Sequence, residues 1–267
     1  MSVIRGPKIA GKGLLACFDA NNPNSYPGSG NTWYDLSPHG NHATFNSTPT
    51  WHQGSGYFTF DESYNCLFTI PTGLSLFPNS NYTYEICARS IESSGTENQQ
   101  ALMFSNMRYN NYDGIMFVHN AVPNKMQCYL GPFADGIGGY VTDTQGVPNN
   151  TQVPWNWKIF FCRLDNRFPN KRIDVNVYSL HNVYNLTNGA LRVQPTGFTD
   201  NGQPGYDDFF SSISYPNNSG DTYGIANDCI GTSRWNGDIA YVRVYDRMLT
   251  DSEIAGNVSS FQGRLKR

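Results

Sequence analysis

The sequence predicts an all-β chain folded as a two-sheet sandwich, with one short helix near the C-terminus. Three observations carry that prediction. Aromatic residues make up 14% of the 267 positions while charged residues reach only 15%, against about 25% charged in an average globular chain. Gly, Pro, Asn, Ser and Thr fill much of the rest, and these supply the dihedral angles and local hydrogen bonds of turns. Only six Lys and five Glu are present to coat helix surfaces. Finally, alternation of apolar and polar residues recurs along the chain, and period two is the mark of a half-buried strand. The aromatic content excludes a disordered chain. The length suits one large sandwich, so residues 1–267 are read as a single domain.

Taken in order, Gly13–Ala20 (GLLACFDA) is a short apolar run ending in a polar loop, and it reads as a buried first strand. The loop Asn21–Asn31 is followed by Thr32–Leu36, a turn over Ser37–Asn41 and a short strand at His42–Phe45. Gly56–Phe60 and Asn65–Ile70 read as a strand pair around the turn Asp61–Tyr64. In Tyr82–Arg89, Tyr82, Tyr84, Ile86 and Ala88 share one face and Thr83, Glu85, Cys87 and Arg89 the other. Gln100–Ser105, Gly114–His119 and Met126–Tyr129 are further strands. Trp157–Asp165 and Arg172–Leu180 form the strongest pair, and Asn166–Lys171 has the length of a hairpin loop. Cys229–Gly231 and Gly237–Tyr245 close the sandwich, with Ile239, Tyr241, Arg243 and Tyr245 on one side of the last strand. Thr250–Glu253 has the form of a capping box, and Ile254 and Val258 lie four apart, which predicts two helical turns near 251–258. Residues 189–223 read as a long, strand-poor, aromatic-bearing loop insertion.

Net charge is -3 and no long basic run occurs. Arg163, Arg167, Lys171 and Arg172 read as a solvated turn with its strand edges, and Arg264, Lys266 and Arg267 as chain-end charges, so no nucleic-acid partner is expected. Met1–Lys12 lacks the apolar stretch of a signal peptide, and no run approaches about 18 apolar residues, so no membrane partner is expected. Synthesis in a reducing compartment follows as an expectation. The six Cys (Cys17, Cys66, Cys87, Cys128, Cys162, Cys229) are widely spaced without a C-x-x-C pair and read as buried free thiols. The sequons at Asn46, Asn81, Asn149, Asn185, Asn217 and Asn257 scarcely exceed the roughly four or five that composition alone would produce.

Gly13–Leu15 with Phe18–Ala20, Ser25–Gly30, Trp33, Asp35–Ser37 and Gly40–Asn41 resemble the opening of the laminin-G-like, concanavalin A-like sandwiches found in phage and large-virus proteins. Asn236–Ala240, Val242–Tyr245, Arg247, Leu249–Thr250, Ser252–Ile254, Asn257 and Gly263–Arg264 resemble their close. The resemblance runs nearly end to end except about 90–155 and 189–223. It implies a jelly roll of two antiparallel sheets, an early hairpin from Tyr57–Phe60 and Leu67–Ile70, opening and closing motifs on adjacent strands, and chain ends that meet. The motif residues read as scaffold: Trp33 and Leu36 over the sandwich edge, Asp19 and Asp35 capping turns, Gly237 and Arg247 bracing the last strand and helix.

Some proteins of this fold cleave glycans, and a retaining glycosidase needs two carboxylates about 5–5.5 Å apart. Of Glu62, Glu85, Glu92, Glu97 and Glu253, only Glu85 sits mid-strand, without an acidic partner at i+2 or i+3. No G-x-S-x-G elbow occurs, and His39, His42 and His52 read as polar turn histidines. The chain is therefore expected not to be an enzyme. A lectin site would use loop aromatics against sugar faces, Asn and Asp for hydroxyls, and in many cases Ca²⁺, which takes six to eight oxygens. Two stretches qualify: Tyr206, Asp207, Asp208, Phe209 and Tyr215, with Asp221 and Asp228 further on; and Tyr109, Tyr112 and Asp113 beside Asn110 and Asn111. The plainer readings are a solvated loop with its aromatics folded onto the sandwich, and an ordinary hairpin turn.

A fold that works outside cells, without an export signal and with unpaired Cys, fits a protein made in a host cytoplasm and carried out on a virion. The expectation is a non-enzymatic virion-surface protein, either capsid decoration or tail-associated, touching the major capsid or tail protein, host-cell glycans or further copies of itself. A stand-alone lectin ranks second and a glycoside hydrolase a distant third.

Overall fold

The protein structure, a computed structural model, describes residues 9–61, 66–70, 81–90, 99–105, 115–120, 125–130, 139–142, 157–165, 172–181, 185–187, 221–226 and 235–262. In chain order its strands are β1 (Leu14–Asp19), β2 (Thr32–Trp33), β3 (Ala43–Phe45), β4 (Thr50–His52), β5 (Tyr57–Phe60), β6 (Cys66–Ile70), β7 (Tyr82–Ser90) and β8 (Gln99–Ser105). They continue as β9 (Ile115–Asn120), β10 (Lys125–Leu130), β11 (Gly139–Thr142), β12 (Lys158–Asp165), β13 (Arg172–His181), β14 (Asn185–Thr187), β15 (Asp221–Ile225) and β16 (Gly237–Tyr245), before the helix α1 (Asp251–Gln262). Every strand pair is antiparallel, and two eight-stranded sheets result. Sheet A runs β14-β13-β12-β7-β16-β5-β4 with β1 also on β16; sheet B runs β11-β10-β9-β8-β15-β6-β3-β2. The chain is thus an all-β sandwich with one helix, as the composition predicts.

Aromatic rings fill the space between the sheets. Phe58 of sheet A lies 5.1 Å from Phe45 and 5.0 Å from Trp33 of sheet B, and Phe18 lies 5.6 Å from Trp33. Trp33 lies on β2, the terminal strand of sheet B, and is fully buried there among rings of both sheets. Asp35 ties the Trp33–Asn41 turn to β1: its carboxylate accepts from the amides of Cys17 (2.7 Å), Ser37 (2.8 Å) and Asn41 (2.8 Å) and from the Ser37 hydroxyl (2.5 Å). Asp19 accepts from the Asn21 amide at 3.0 Å. Both Asp residues cap as expected.

The outer face of sheet A carries a second core. Ile254, Val258 and Phe261 lie at i, i+4 and i+7 on α1 and pack on Cys87, Ile159, Phe161, Tyr241 and Tyr245. The capping box forms, with the Glu253 amide donating to the Thr250 hydroxyl (3.3 Å) and the Thr250 amide donating to the Glu253 carboxylate (2.9 Å). The helix runs a turn further than expected, to Gln262, because Phe261 extends the apolar stripe onto Tyr241, at 5.0 Å.

The opening and closing motifs sit side by side, with Leu14 opposite Tyr245 and Asp19 opposite Tyr241, and the Ala10 amide donates to Asn257 Oδ1 at 2.8 Å. The β12–β13 hairpin forms in full. Four expectations change. β5 and β6 do not form a hairpin: β5 pairs with β4 and β16 in sheet A, and β6 with β3 and β15 in sheet B. Alternation identifies a strand but not its sheet. The hairpin partner of β5 is β4, only three residues long and unpredicted, as were β11 and β14. β15 occupies the last positions of the expected insertion and lies between β8 and β6, so 189–223 is not strand-free to its end. The rest of that insertion and the Cys229–Gly231 strand lie outside the described residues. Lastly, Ile239 pairs with Ala88 but Tyr241 with Cys87. This bulge puts Ile239 and Tyr241 on opposite faces and moves Asp238 to the outer face with Tyr241, Arg243 and Tyr245.

Candidate binding surface

Tyr109, Tyr112, Asp113, Tyr206, Asp207, Asp208, Phe209 and Tyr215, the sequence-derived contact candidates, lie outside the described residues, as does Asp228; Asp221 opens β15. Among the described residues, chemistry-bearing side chains gather on the outer face of sheet A in two groups.

The first group is sealed beneath α1. Glu85, at the middle of β7, is fully buried. Its carboxylate accepts from Arg243 Nη1 (2.7 Å), the Tyr241 hydroxyl (2.9 Å), Asn257 Nδ2 (2.6 Å) and, more loosely, the Tyr245 hydroxyl (3.5 Å). The Arg243 guanidinium also lies 4.1 Å from the Tyr241 ring centroid. Burial disfavours the Arg243 charge, but its neighbours, the Glu85 carboxylate foremost, more than offset this and hold its pKa well above the ordinary value. Burial, and then the Glu85 charge, raise the pKa of both tyrosines. Burial pushes the Cys17 thiol up to about 11, and Cys66 well above its ordinary value. The group is therefore a charge-compensated lock between strands and helix.

The second group lies beyond the lock, at the end of the face where β4, β5, β16 and β7 start or finish. Asp238 pairs with Thr59 on one side and Arg89 on the other. Arg89 Nε donates to Asp238 Oδ2 (2.5 Å) and Nη2 to the Tyr57 hydroxyl (3.2 Å). Its guanidinium sits 5.1 Å from the Tyr57 ring centroid and 5.0 Å from that of Trp157. His52 stacks on Tyr57 at 4.3 Å and 22°, and Trp157 meets Tyr57 edge-on at 5.3 Å. The Thr59 hydroxyl donates to Asp238 Oδ1 (2.5 Å) and lies 2.8 Å from His52 Nε2. Asp238 is buried, whereas His52, Tyr57, Thr59, Arg89 and Trp157 are all half-buried, so rings and guanidinium reach the surface over a buried anchor. His52 is a strand residue, not a turn histidine. The sequence reading missed this group because unbroken alternation would turn Asp238 away from Arg89's face. Its available signal was Gly237: a Cβ there would collide with the Arg89 carbonyl oxygen and sit 2.8 Å from Trp235 Nε1.

Among the described residues, no three His, Cys, Asp or Glu side chains are placed to hold a metal ion, and no helix is long and apolar enough to cross a membrane.

The fold defines the chain as an antiparallel β-sandwich bearing a helix on one outer face. No family model matches it and no curated protein matches it. Solved structures do share its fold. A Trypanosoma rangeli sialidase in complex with the inhibitor DANA is similar over 97% of this chain and 35% of its own, at 9% identity and a TM-score of 0.57. The botulinum neurotoxin serotype D/C VPI 5993 binding domain is similar over 95% and 52%, at 11% identity and a TM-score of 0.56. The binding domain of botulinum neurotoxin DC in complex with rat synaptotagmin II is similar over 95% and 52%, at 8% identity and 0.55. The chain therefore spans about a third of the sialidase and about half of the toxin binding domains, and the likeness is one of fold.

Proposed function

We propose that this chain is a non-catalytic recognition protein of a virion surface, as capsid decoration or a tail-associated part, and that the half-buried cluster of Tyr57, Arg89 and Trp157 is its contact surface. The observation that carries the reading is that cluster: two half-buried aromatic rings and a guanidinium over the buried anchor Asp238. Tyr, Trp and Arg are the side chains most enriched at the centres of interfaces. Proteins of which a third or a half shares this fold have been solved in complex with sialic acid and with rat synaptotagmin II, which supports recognition as the use of this one. The four described thiols, Cys17, Cys66, Cys87 and Cys162, are buried and not joined in disulfides, which supports synthesis in a reducing cytoplasm before release on particles. The buried carboxylates of Asp35, Glu85 and Asp238 are each held by several donors, which favours a binding over a hydrolytic role.

Quantitative mass spectrometry of purified virions tests the placement. Retention at fixed copy number through density-gradient purification is expected; absence from particles refutes it. A free lectin is the second reading, favoured by the His52–Tyr57–Trp157 rings, and predicts glycan binding without particle association.

A further inference from the structure

The lock beneath α1 contains an asparagine that is also the acceptor residue of a modification motif. Asn257–Val258–Ser259 is a sequon, with Val and not Pro in its middle, and oligosaccharyl transfer recognises that triplet in a chain that has not yet folded. In the folded protein Asn257 is fully buried. Its Nδ2 spends both protons, donating to Glu85 Oε2 (2.6 Å) and to the Tyr245 hydroxyl (3.0 Å), and its Oδ1 accepts from the Ala10 amide (2.8 Å). It therefore joins α1 at once to β7, to β16 and to the segment leading into β1. Ser259, the recognition residue of the triplet, is exposed, and its hydroxyl donates to the Ala255 carbonyl one turn back (2.8 Å). The sequon Asn46–Ser47–Thr48 differs, because all three of its residues are exposed.

We infer that Asn257 is an N-glycan acceptor whose modification and whose fold exclude each other, so that the chain reaches its native state only where no oligosaccharyl transfer meets it before α1 docks. In that transfer Asn257 Nδ2 attacks the anomeric carbon of an oligosaccharide carried on a lipid pyrophosphate. A C–N bond forms, the C–O bond to the pyrophosphate breaks, the lipid pyrophosphate leaves, and Nδ2 gives up one of its two protons. The sugar then stands where Glu85 or the Tyr245 hydroxyl must stand in the lock. A glycan is bulky and strongly hydrated, and the space between helix and sheet is filled by packed side chains. α1 is therefore held off, and Ile254, Val258, Phe261 and the Glu85 carboxylate are left facing water. At Asn46 the same glycan projects into solvent and leaves the packing intact. A chain made in the cytoplasm never meets the transfer, whereas a secreted lectin of this sequence would.

The test is expression of the full chain in one eukaryotic cell line, once in the cytosol and once behind an appended signal peptide. Glycan occupancy is read site by site, by mass spectrometry, from the isotope-labelled Asn-to-Asp conversion that enzymatic deglycosylation leaves. The cytosolic protein should melt cooperatively. On the secretory route Asn257 should be occupied in the retained fraction and unoccupied in any native, secreted one, while Asn46 is occupied in both. Ser259→Ala removes the sequon at an exposed position and leaves the lock and the buried thiols in place, so it should raise the native secreted yield several-fold. Ser259→Thr, which keeps the sequon, should not. Secreted chains that carry a glycan on Asn257 and keep the cytosolic melting midpoint overturn the inference. So does an unoccupied Asn257 in the retained fraction, or a Ser259→Ala yield equal to that of the parent chain. The occupancy readout needs no variant, so it decides even where Ser259→Ala fails to melt cooperatively in the cytosol. None of these outcomes touches virion retention, so the placement on particles and the contact surface stand or fall separately.

Discussion

Glu85 loses all contact with water on folding, yet it accepts hydrogen bonds from four side chains, one of them a guanidinium. Such a group contributes little net stability against a well-packed apolar core, but removing one partner strands the other charge in a medium that cannot solvate it. Arg243 is already strained in this sense, because its buried Nε lacks a hydrogen-bond partner. Glu85→Met is therefore expected to lower unfolding free energy by about 3–5 kcal/mol, and Arg243→Met by a similar amount. The double variant Glu85→Met/Arg243→Met should cost less than the sum of its singles by about 1–3 kcal/mol. Urea titrations of the three variants check this, and strict additivity would contradict the coupling. The thiols offer an independent test. With Cys17 raised to about 11, only about a thousandth of it is thiolate at pH 8, and burial likewise holds Cys66 well above its ordinary value. Iodoacetamide at pH 8 should leave Cys17, Cys66, Cys87 and Cys162 unmodified in the native protein for hours and label all of them in urea. Fast native labelling of any of the four would show that its burial is breached in solution.

At the scale of elements, α1 depends on its first turn. Glu253 caps Thr250 and also pairs with Arg247, at 2.5 and 2.8 Å, and Arg247 in turn donates to the Lys12 carbonyl at 2.9 Å. One carboxylate thereby ties the helix start to the strand end and to the segment leading into β1. Its hydrogen bonds from Arg247, more than those from Thr250, lower its pKa from 4.5 to about 2. A carboxylate with a depressed folded-state pKa stabilises fully above its unfolded pKa and loses that contribution as pH falls through the folded value. The stability difference between wild type and Glu253→Gln should then be full above about pH 4.5 and vanish near pH 2. Its size should be about 1 kcal/mol, because the pair is part-exposed and screened by solvent. A difference that does not change with pH would show that the cap acts without its charge. The capping box, the alternation of β7 and the β12–β13 hairpin were all legible in the sequence, because each is specified by residues close in the chain. Sheet membership of β5 and β6 was not, since it is decided by partners far away. The Arg89–Asp238 pairing was hidden for a related reason: it depends on a bulge at Ala240, a small residue that interrupts no pattern. The sequence reading of α1 ends at Val258, four on from Ile254, because the next turn is held by Phe261 against Tyr241, a partner outside the helix.

For the whole molecule, β16 is the member on which the layers converge. Along one edge it pairs with β7 over its full length; along the other it pairs first with β5 and then, past the bulge, with β1. All nine of its residues are buried, one face by the inter-sheet core and the other by α1 and the Glu85 lock. The protein therefore closes only when its last strand and helix arrive, and its first strand has no partner in sheet A before then. Non-local closure of this kind makes folding slow and the incomplete chain prone to association. Stopping the chain at Asp246 would retain every strand but remove Leu249, Ile254, Val258 and Phe261 from the outer core, along with Asn257 from Glu85. Burial of four such apolar side chains is worth about 6–12 kcal/mol, comparable to the whole net stability of a typical domain. The truncated chain should thus keep a β-type far-ultraviolet spectrum at most in part, bind a hydrophobic dye and lose its cooperative melt. Adding a synthetic peptide of residues 247–267 should restore some of that melt if α1 docks as an amphipathic helix on a preformed sheet. A truncated chain that melts cooperatively within a few degrees of wild type would show that the two sheets close without α1.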